Sequence, residues 1–221
     1  MKNRKVQAFI LDLDGVLTDT AEFHFRAWKR LADEEEVPFT RQDNEQLRGV
    51  SRRRSLELLL GDVLKRYSEE QIIEMMARKN GYYQEMLNGI TQADFLPGAQ
   101  ELLEELKTRE MKIAIGSASK NTRTVLTQLG ILDWFDGISD GYSVQRAKPA
   151  PDVFVFAAGT VGVPVVNCVV VEDAESGVQA ALTAGMVAVG IGPQERVGKA
   201  HFRYNITAEI DLDEILRVEN N

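Results

Sequence analysis

Apolar positions change their period twice along this chain. Val6 to Leu11, broken only by Gln7, form an apolar run that stops at Asp12-Leu13-Asp14-Gly15. A run this short, bounded by a turn signal, predicts a strand buried on both faces. From about residue 20 to 88 the spacing is helical. Phe25, Trp28, Leu31 and Ala32 recur on one face, with charged residues between them. A loop is expected around 38–44. Leu56, Leu59, Leu60, Val63, Leu64 and Tyr67 then form a second stripe. Ser68-Glu69-Glu70-Gln71 reads as a capping box, opening a helix whose stripe is Ile72, Met76, Tyr83 and Leu87. No strand pattern interrupts this block, which predicts a small helical bundle.

Beyond Phe95-Leu96-Pro97-Gly98 the two periods alternate. Ala99, Leu102, Leu103 and Leu106 mark a helix face, and 112–117 a short buried strand. A helix over 120–129 closes at Gly130, a short strand is expected at 135–138, and Pro151 opens a helix to 161. Strands at 168–172 and 187–191 flank a helix over 175–184 that ends at Gly185. Such alternation predicts βαβ units. The first strand needs a sheet to join. The fold class expected is therefore α/β: a doubly wound parallel-sheet (Rossmann-like) core, residues 1–17 and 92–221, with an inserted helical-bundle cap, residues 18–91. Hinges are expected at both crossings, near 18–20 and 88–94.

The 221 residues are 44% hydrophobic and 27% charged, ordinary for a soluble globular protein. A net charge of −8 disfavours nucleic acid and anionic membranes as partners. The lone Cys168 sits in an apolar run and reads as a core residue. The apolar stretch after Met1-Lys2-Asn3-Arg4-Lys5 is too short for a signal peptide, and no run reaches membrane-spanning length. A cytoplasmic location is expected.

Chemistry gathers at four strand ends. Asp12 and Asp14, two apart, share a side where the strand ends and Gly15 lets the chain turn. Two carboxylates there repel unless a cation or proton separates them, and the oxygen donors suit Mg²⁺. Turn chemistry alone also accounts for Asp-x-Asp-Gly. The second end, Ser117-Ala118-Ser119-Lys120-Asn121, offers a hydroxyl and N–H groups to a phosphate, although Ser119 or Asn121 equally suits a helix cap. The third holds Lys148 beside Pro149, and the fourth Glu172 and Asp173. Strand ends of a parallel sheet converge on one crevice, so the four together point to a single site.

In this order, Asp-x-Asp-Gly, strand-end Ser, Lys-Pro and Glu-Asp, the chain resembles the haloacid dehalogenase superfamily of phosphotransferases over essentially its whole length. The helical insertion resembles that superfamily's C1-type cap. Within it, Asp12 to Glu22, His24-Phe25-Arg26-Ala27-Trp28, Gly49-Val50-Ser51-Arg52, Arg78-Lys79-Asn80, Ser117 to Asn121 and Lys148 to Asp152 resemble the β-phosphoglucomutase family. Family members commonly carry Glu-Asp-Ser-x-Ala-Gly where this chain has Glu172-Asp173-Ala174-Glu175-Ser176-Gly177.

The resemblance implies Asp12 as a nucleophile that becomes an aspartyl phosphate, and Asp14 as general acid and base. It implies Ser117, Ala118 and Lys148 on the transferring phosphoryl oxygens, and Mg²⁺ on Asp12, the Asp14 carbonyl, Glu172 and Asp173. It assigns Thr20, His24, Trp28, Gly49, Arg52 and Lys79 from the cap, and Ser119, Lys120 and Asn121 from the core, to the substrate. Arg52 with Ser119, Lys120 and Asn121 would hold a second phosphate; Thr20, His24 and Lys79 would tie cap closure to Asp14. The expected reaction interconverts β-D-glucose 1-phosphate and D-glucose 6-phosphate through β-glucose 1,6-bisphosphate, by a monomer acting on sugar phosphates. The alternative is a phosphatase of the same superfamily acting on a small sugar or organic phosphate.

Overall fold

The structure, a computed structural model, describes residues 5–48 and 50–217. Strand β1 (Ala8–Leu11) is fully buried and stops one residue before Asp12. The helical block follows. Helix α1 (Ala21–Glu34) buries Ala27, Trp28, Leu31 and Ala32. Helix α2 (Arg41–Glu45) stands where a loop was expected. Thr40 and Asp43 form a capping box there, the Asp43 carboxylate accepting from the Thr40 N–H at 2.8 Å. Helix α3 (Arg52–Leu60) carries only the first half of the second stripe. Gly61, at φ +50°, ends it, and Gly61–Arg66 continues as a tighter 3₁₀ turn. Helix α4 (Glu69–Leu87) starts at the expected capping box on Ser68. Trp28, Leu31, Phe39, Leu56, Leu59, Ile72 and Met75 give this block a core of its own.

The remaining chain winds the sheet: α5 (Ala99–Thr108), β2 (Lys112–Gly116), α6 (Thr122–Gln128), β3 (Gly137–Ser139), α7 (Asp152–Thr160), β4 (Cys168–Glu172), α8 (Glu175–Thr183) and β5 (Val187–Ile191). Helix α6 begins two residues later than expected, because Ser119 to Asn121 are taken up by the loop before it. Three further elements, α9 (Gln194–Val197), β6 (Phe202–Tyr204) and α10 (Leu212–Leu216), complete the fold.

Among the described residues six strands form one parallel sheet in the order β3-β2-β1-β4-β5-β6. The first strand is thus in the middle, Ile10 lying between Ala114 and Val170. Alternate residues serve the two faces. Phe9, Leu11, Ile113, Val169 and Val171 meet α5, α6 and α10. Ala8, Ile10, Ala114, Cys168 and Val170 meet α7 and α8. The two connections between the helical block and the sheet lie side by side. The Thr18 hydroxyl donates to the Asp94 carbonyl at 2.7 Å, and the Leu96 N–H donates to the Leu17 carbonyl at 2.9 Å. No helix among the described residues is long and apolar enough to cross a membrane.

Candidate active site

The carboxyl ends of β1, β2 and β4 open into a cleft of about 560 Å³, which the helical block covers. Asp12 continues the β1 ladder by one bond, its N–H donating to the Val171 carbonyl at 2.9 Å, so its side chain is fixed at the cleft floor. Gly15 at φ +83° then turns the chain back, and a Cβ there would run into the Asp173 carboxylate. Gly177 does the same for Glu172. Both glycines make room for acids.

Asp12, Glu172 and Asp173 are buried and place one carboxylate oxygen each within 4.8 Å of one another. Burial at the end of a sheet concentrates their charge. Lys148, 3% exposed and held by a loop with a cis Lys148–Pro149 bond, is the counter-ion: its Nζ lies 2.7 Å from Asp12 Oδ1 and also donates to Glu172. Burial alone would depress this lysine, yet Asp12 and Glu172 hold its ammonium above the ordinary lysine range. Burial raises the Glu172 carboxyl, with Lys148 opposing and Asp12 and Asp173 adding. Burial also raises Asp173, Asp12 adding while Arg48 and Arg196 oppose. Three hard oxygen donors this close, with one lysine among them, fit a divalent cation.

Asp14 sits apart from this cluster, partly open to the cleft. Thr20 donates to its Oδ1, and His24 Nε2 approaches Oδ2 at 3.9 Å. Lys79 Nζ lies 2.8 Å from His24 Nδ1, so His24 links a buried lysine to Asp14. Burial, then Asp12 and Asp173, push the Asp14 carboxyl up to about 8. His24 is held well below the usual histidine range by burial, then by Lys79 and Arg52. A neutral ring that accepts from Lys79 at Nδ1 keeps its proton on Nε2, facing Asp14. Lys79 is itself lowered by burial and Arg52, while Asp14 and the rings of Trp28 and Tyr83, 4.7 and 4.9 Å away, favour its ammonium.

Ser117 is buried past the end of β2. Its Oγ accepts from the Ser119 N–H at 3.1 Å, which leaves the hydroxyl proton free to donate. Asn121 does not cap α6 with its side chain; its Nδ2 donates to Asn80 Oδ1 at 2.9 Å, where Arg52 Nη2 also donates at 2.7 Å. Arg52 from α3 and Asn121 from the sheet side therefore converge on one oxygen. Ala118, Ser119 and Lys120 line the same cleft, with Lys120 Nζ over the Tyr142 ring at 4.9 Å. Of the residues singled out in the sequence, Asp12, Asp14, His24, Trp28, Arg52, Lys79, Ser117, Lys148 and Asp173 all line the cleft. Thr20 and Glu172 adjoin it through their bonds to Asp14 and Lys148, and Asn121 through Asn80, which also bonds the cleft-lining Arg52. Gly49 lies outside the described residues.

Asn80, Arg48 and Arg196 were not singled out as site residues. Asn80 stands next to Lys79 in a stretch already noted. Arg48, which bonds Asp173 Oδ2 at 3.1 Å, has only its position beside the Gly49 stretch as a signal. Arg196 has none.

A family model for the haloacid dehalogenase-like hydrolases matches residues 6–185. The chain is 41% identical over 210 residues to a β-phosphoglucomutase of Bacillus subtilis, covering 94% of this chain and 93% of that one. It is 29% identical to a phosphorylated carbohydrates phosphatase of Thermotoga maritima, covering 96% and 98%. A crystal structure of a β-phosphoglucomutase from Clostridium difficile superposes with a TM-score of 0.93 at 40% identity, covering 97% of each chain.

Proposed function

The chain belongs to the haloacid dehalogenase-like hydrolase family, and on that footing we propose that it is a phosphotransferase interconverting β-D-glucose 1-phosphate and D-glucose 6-phosphate. The intermediates are an aspartyl phosphate on Asp12 and β-glucose 1,6-bisphosphate. The observation that supports this most is that one cleft holds two sets of anion-handling groups: Ser117 and Lys148 beside Asp12, and Arg52 with Lys120. A sugar bisphosphate needs both; a small monophosphate needs only the first.

Phosphoryl transfer asks the protein mainly for positioning and charge neutralisation. Asp12 is the fixed oxygen nucleophile. Lys148, the Ser117 hydroxyl and the Ala118 N–H hold the transferring phosphoryl oxygens. Asp14 gives its proton to the leaving sugar oxygen as Asp12 takes the phosphoryl group, and removes the proton of the attacking hydroxyl in the return step. A carboxyl raised to about 8 is protonated at neutral pH, as the first of these steps requires. Asp12, Glu172 and Asp173, with the Asp14 carbonyl, are the residues that would hold Mg²⁺, which neutralises charge on the phosphoryl group when bound.

Residues 18–91 act as a cap, with hinges where Thr18 meets Asp94 and Leu17 meets Leu96. Because Thr20, His24 and Lys79 belong to it, cap position and Asp14 position are linked. Closure excludes water and so protects the aspartyl phosphate. Arg52, Lys120, Ser119 and Asn121 receive the second phosphate, Arg52 by a two-point contact. Trp28 walls the cleft next to Lys79.

The test is a coupled assay with Mg²⁺, β-glucose 1-phosphate and a trace of the bisphosphate, following glucose 6-phosphate and free phosphate together. Glucose 6-phosphate in large excess supports the mutase. Free phosphate in excess replaces it with the phosphatase reading, in which water takes the place of the sugar hydroxyl at the same centre.

A further inference from the structure

Asp173 is shared between two arginines that the mechanism above leaves idle. Arg48, in the turn after α2, places Nη1 3.1 Å from Asp173 Oδ2. Arg196, on α9, brings Nη2 to 3.9 Å from the same oxygen. Both arginines also meet Glu45, Arg48 Nε at 3.0 Å and Arg196 Nη1 at 3.6 Å from Oε2. The four side chains close a ring of alternating charge. Glu45 and Arg48 come from the helical block, Asp173 and Arg196 from the sheet side. The Ser176 hydroxyl adds a long 3.5 Å bond to the Arg48 carbonyl across the same boundary. Room for Arg196 is made by Gly192, at φ +125°, where a Cβ would come within 2.5 Å of Nη2.

An exposed ring of this kind contributes little to stability. This one is different because Asp173 is 5% exposed and belongs to the acidic cluster of Asp12 and Glu172. Lys148 supplies one positive charge to that cluster, bonding Asp12 and Glu172; Asp173 takes its positive charge from Arg48 and Arg196 instead. A divalent cation bound at the cluster meets the same need on the same carboxylate.

We propose that Arg48 is a positioning residue that latches the cap onto Asp173 in the metal-free protein and yields that carboxylate to the cation when it binds, so that cap position and metal occupancy are coupled through one carboxylate. This rests on the reading of the cluster as a Mg²⁺ site. Arg196 and Glu45 complete the latch: Arg196 steadies Asp173 from the core, and Glu45 draws both arginines partly away from it.

The test is calorimetric titration of Mg²⁺ into folded, metal-free protein at pH 7 without sugar phosphate. A unit charge about 6 Å from a divalent cation changes its affinity by about tenfold even at bulk-water screening. Arg48→Gln should therefore tighten Mg²⁺ by about that factor, and Arg48→Lys should restore the weaker binding. Glu45→Gln should weaken Mg²⁺ about two- to threefold, because both arginines then turn to Asp173. Arg54→Gln, which removes the same charge from a surface pair with Glu57, should change nothing. Opposite signs for Arg48→Gln and Glu45→Gln are not produced by loosened structure. If wild type binds Mg²⁺ and Arg48→Gln leaves the affinity unchanged or weaker, the latch is overturned while the metal site stands. If wild type takes up no Mg²⁺, the metal reading fails and the latch with it. Should Arg48→Gln not fold, the sign for Glu45→Gln decides.

Discussion

Lys148 Nζ lies 2.7 Å from Asp12 Oδ1, both side chains buried, and the same ammonium also bonds Glu172. Removing one partner of a buried ion pair leaves the other charges uncompensated, which costs about 3–5 kcal/mol. Lys148→Met should therefore lower the unfolding free energy of the metal-free protein by about that much in urea titrations. Mg²⁺ should recover more of the loss in the variant than it adds to wild type, because it replaces the missing charge. An unchanged midpoint would show that Lys148 does not neutralise the cluster.

The nucleophile assignment predicts that Asp12→Asn, which leaves Lys148 its Glu172 partner, still folds but loses phosphoryl transfer by about a thousandfold or more. Acid-quenched single-turnover reactions with labelled bisphosphate should trap label on wild type and none on the variant. Label retained by Asp12→Asn would move the nucleophile elsewhere.

Arg52 separates the two functional readings. Arg52→Ala removes the charged partner of Asn80 and the proposed grip on the second phosphate. Glucose 6-phosphate formation should fall by about a hundredfold, in line with losing a charge-assisted two-point contact, while slow hydrolysis of small phosphates persists. Equal loss of both activities would count against a second phosphate site.

Asp14 gives a pH signature. Its folded carboxyl, at about 8, lies above the unfolded value near 3.8, so the folded state holds a proton that the unfolded state releases. Its contribution to stability is full below about pH 4 and is lost as pH rises through about 8, by at most about 1.4 kcal/mol per unit. The melting temperature of metal-free wild type should decline from pH 5 to 8 more steeply than that of Asp14→Asn. Parallel curves would mean that Asp14 titrates normally. Since the cation displaces protons from the raised carboxyls, Mg²⁺ affinity should also rise over this range.

Gly177 tests the cradle behind the metal carboxylates. A methyl group there meets the Glu172 side chain, so Gly177→Ala should weaken Mg²⁺ about tenfold, the scale seen when a ligand loses its support, with little change in helix content. Affinity equal to wild type would mean that Glu172 can relax without leaving the cation.

How much was legible in the sequence follows from what each element rests on. Strands β4 and β5 were bounded correctly because both faces are buried and the apolar run is the strand. The second stripe misled: Val63, Leu64 and Tyr67 keep the helical period, but Gly61 at φ +50° breaks the helix beneath them. Helix α2 is five residues long and shows no stripe, only the Thr40–Asp43 cap. Strand β6 is half-exposed at the sheet edge and lacks an apolar run. In the site, Asp12, Asp14, Ser117, Glu172 and Asp173 were legible because parallel strand ends converge, whereas Lys148 lies nine residues past β3, not at its end, and was legible from its Lys-Pro motif. Arg48 and Arg196 were not, since nothing local to either arginine announces a carboxylate reached only through tertiary packing.

The central place of β1 has a kinetic consequence. The strand that leads into Asp12 is made well before its neighbours, which begin at Lys112 and Cys168. On the ribosome it must wait, apolar and unpaired, while the helical block emerges and closes its own local contacts. Non-local pairing of this kind is slow and leaves strand edges open to other chains. The active centre can therefore assemble only once β4 has been made and pairs beside a strand synthesised long before.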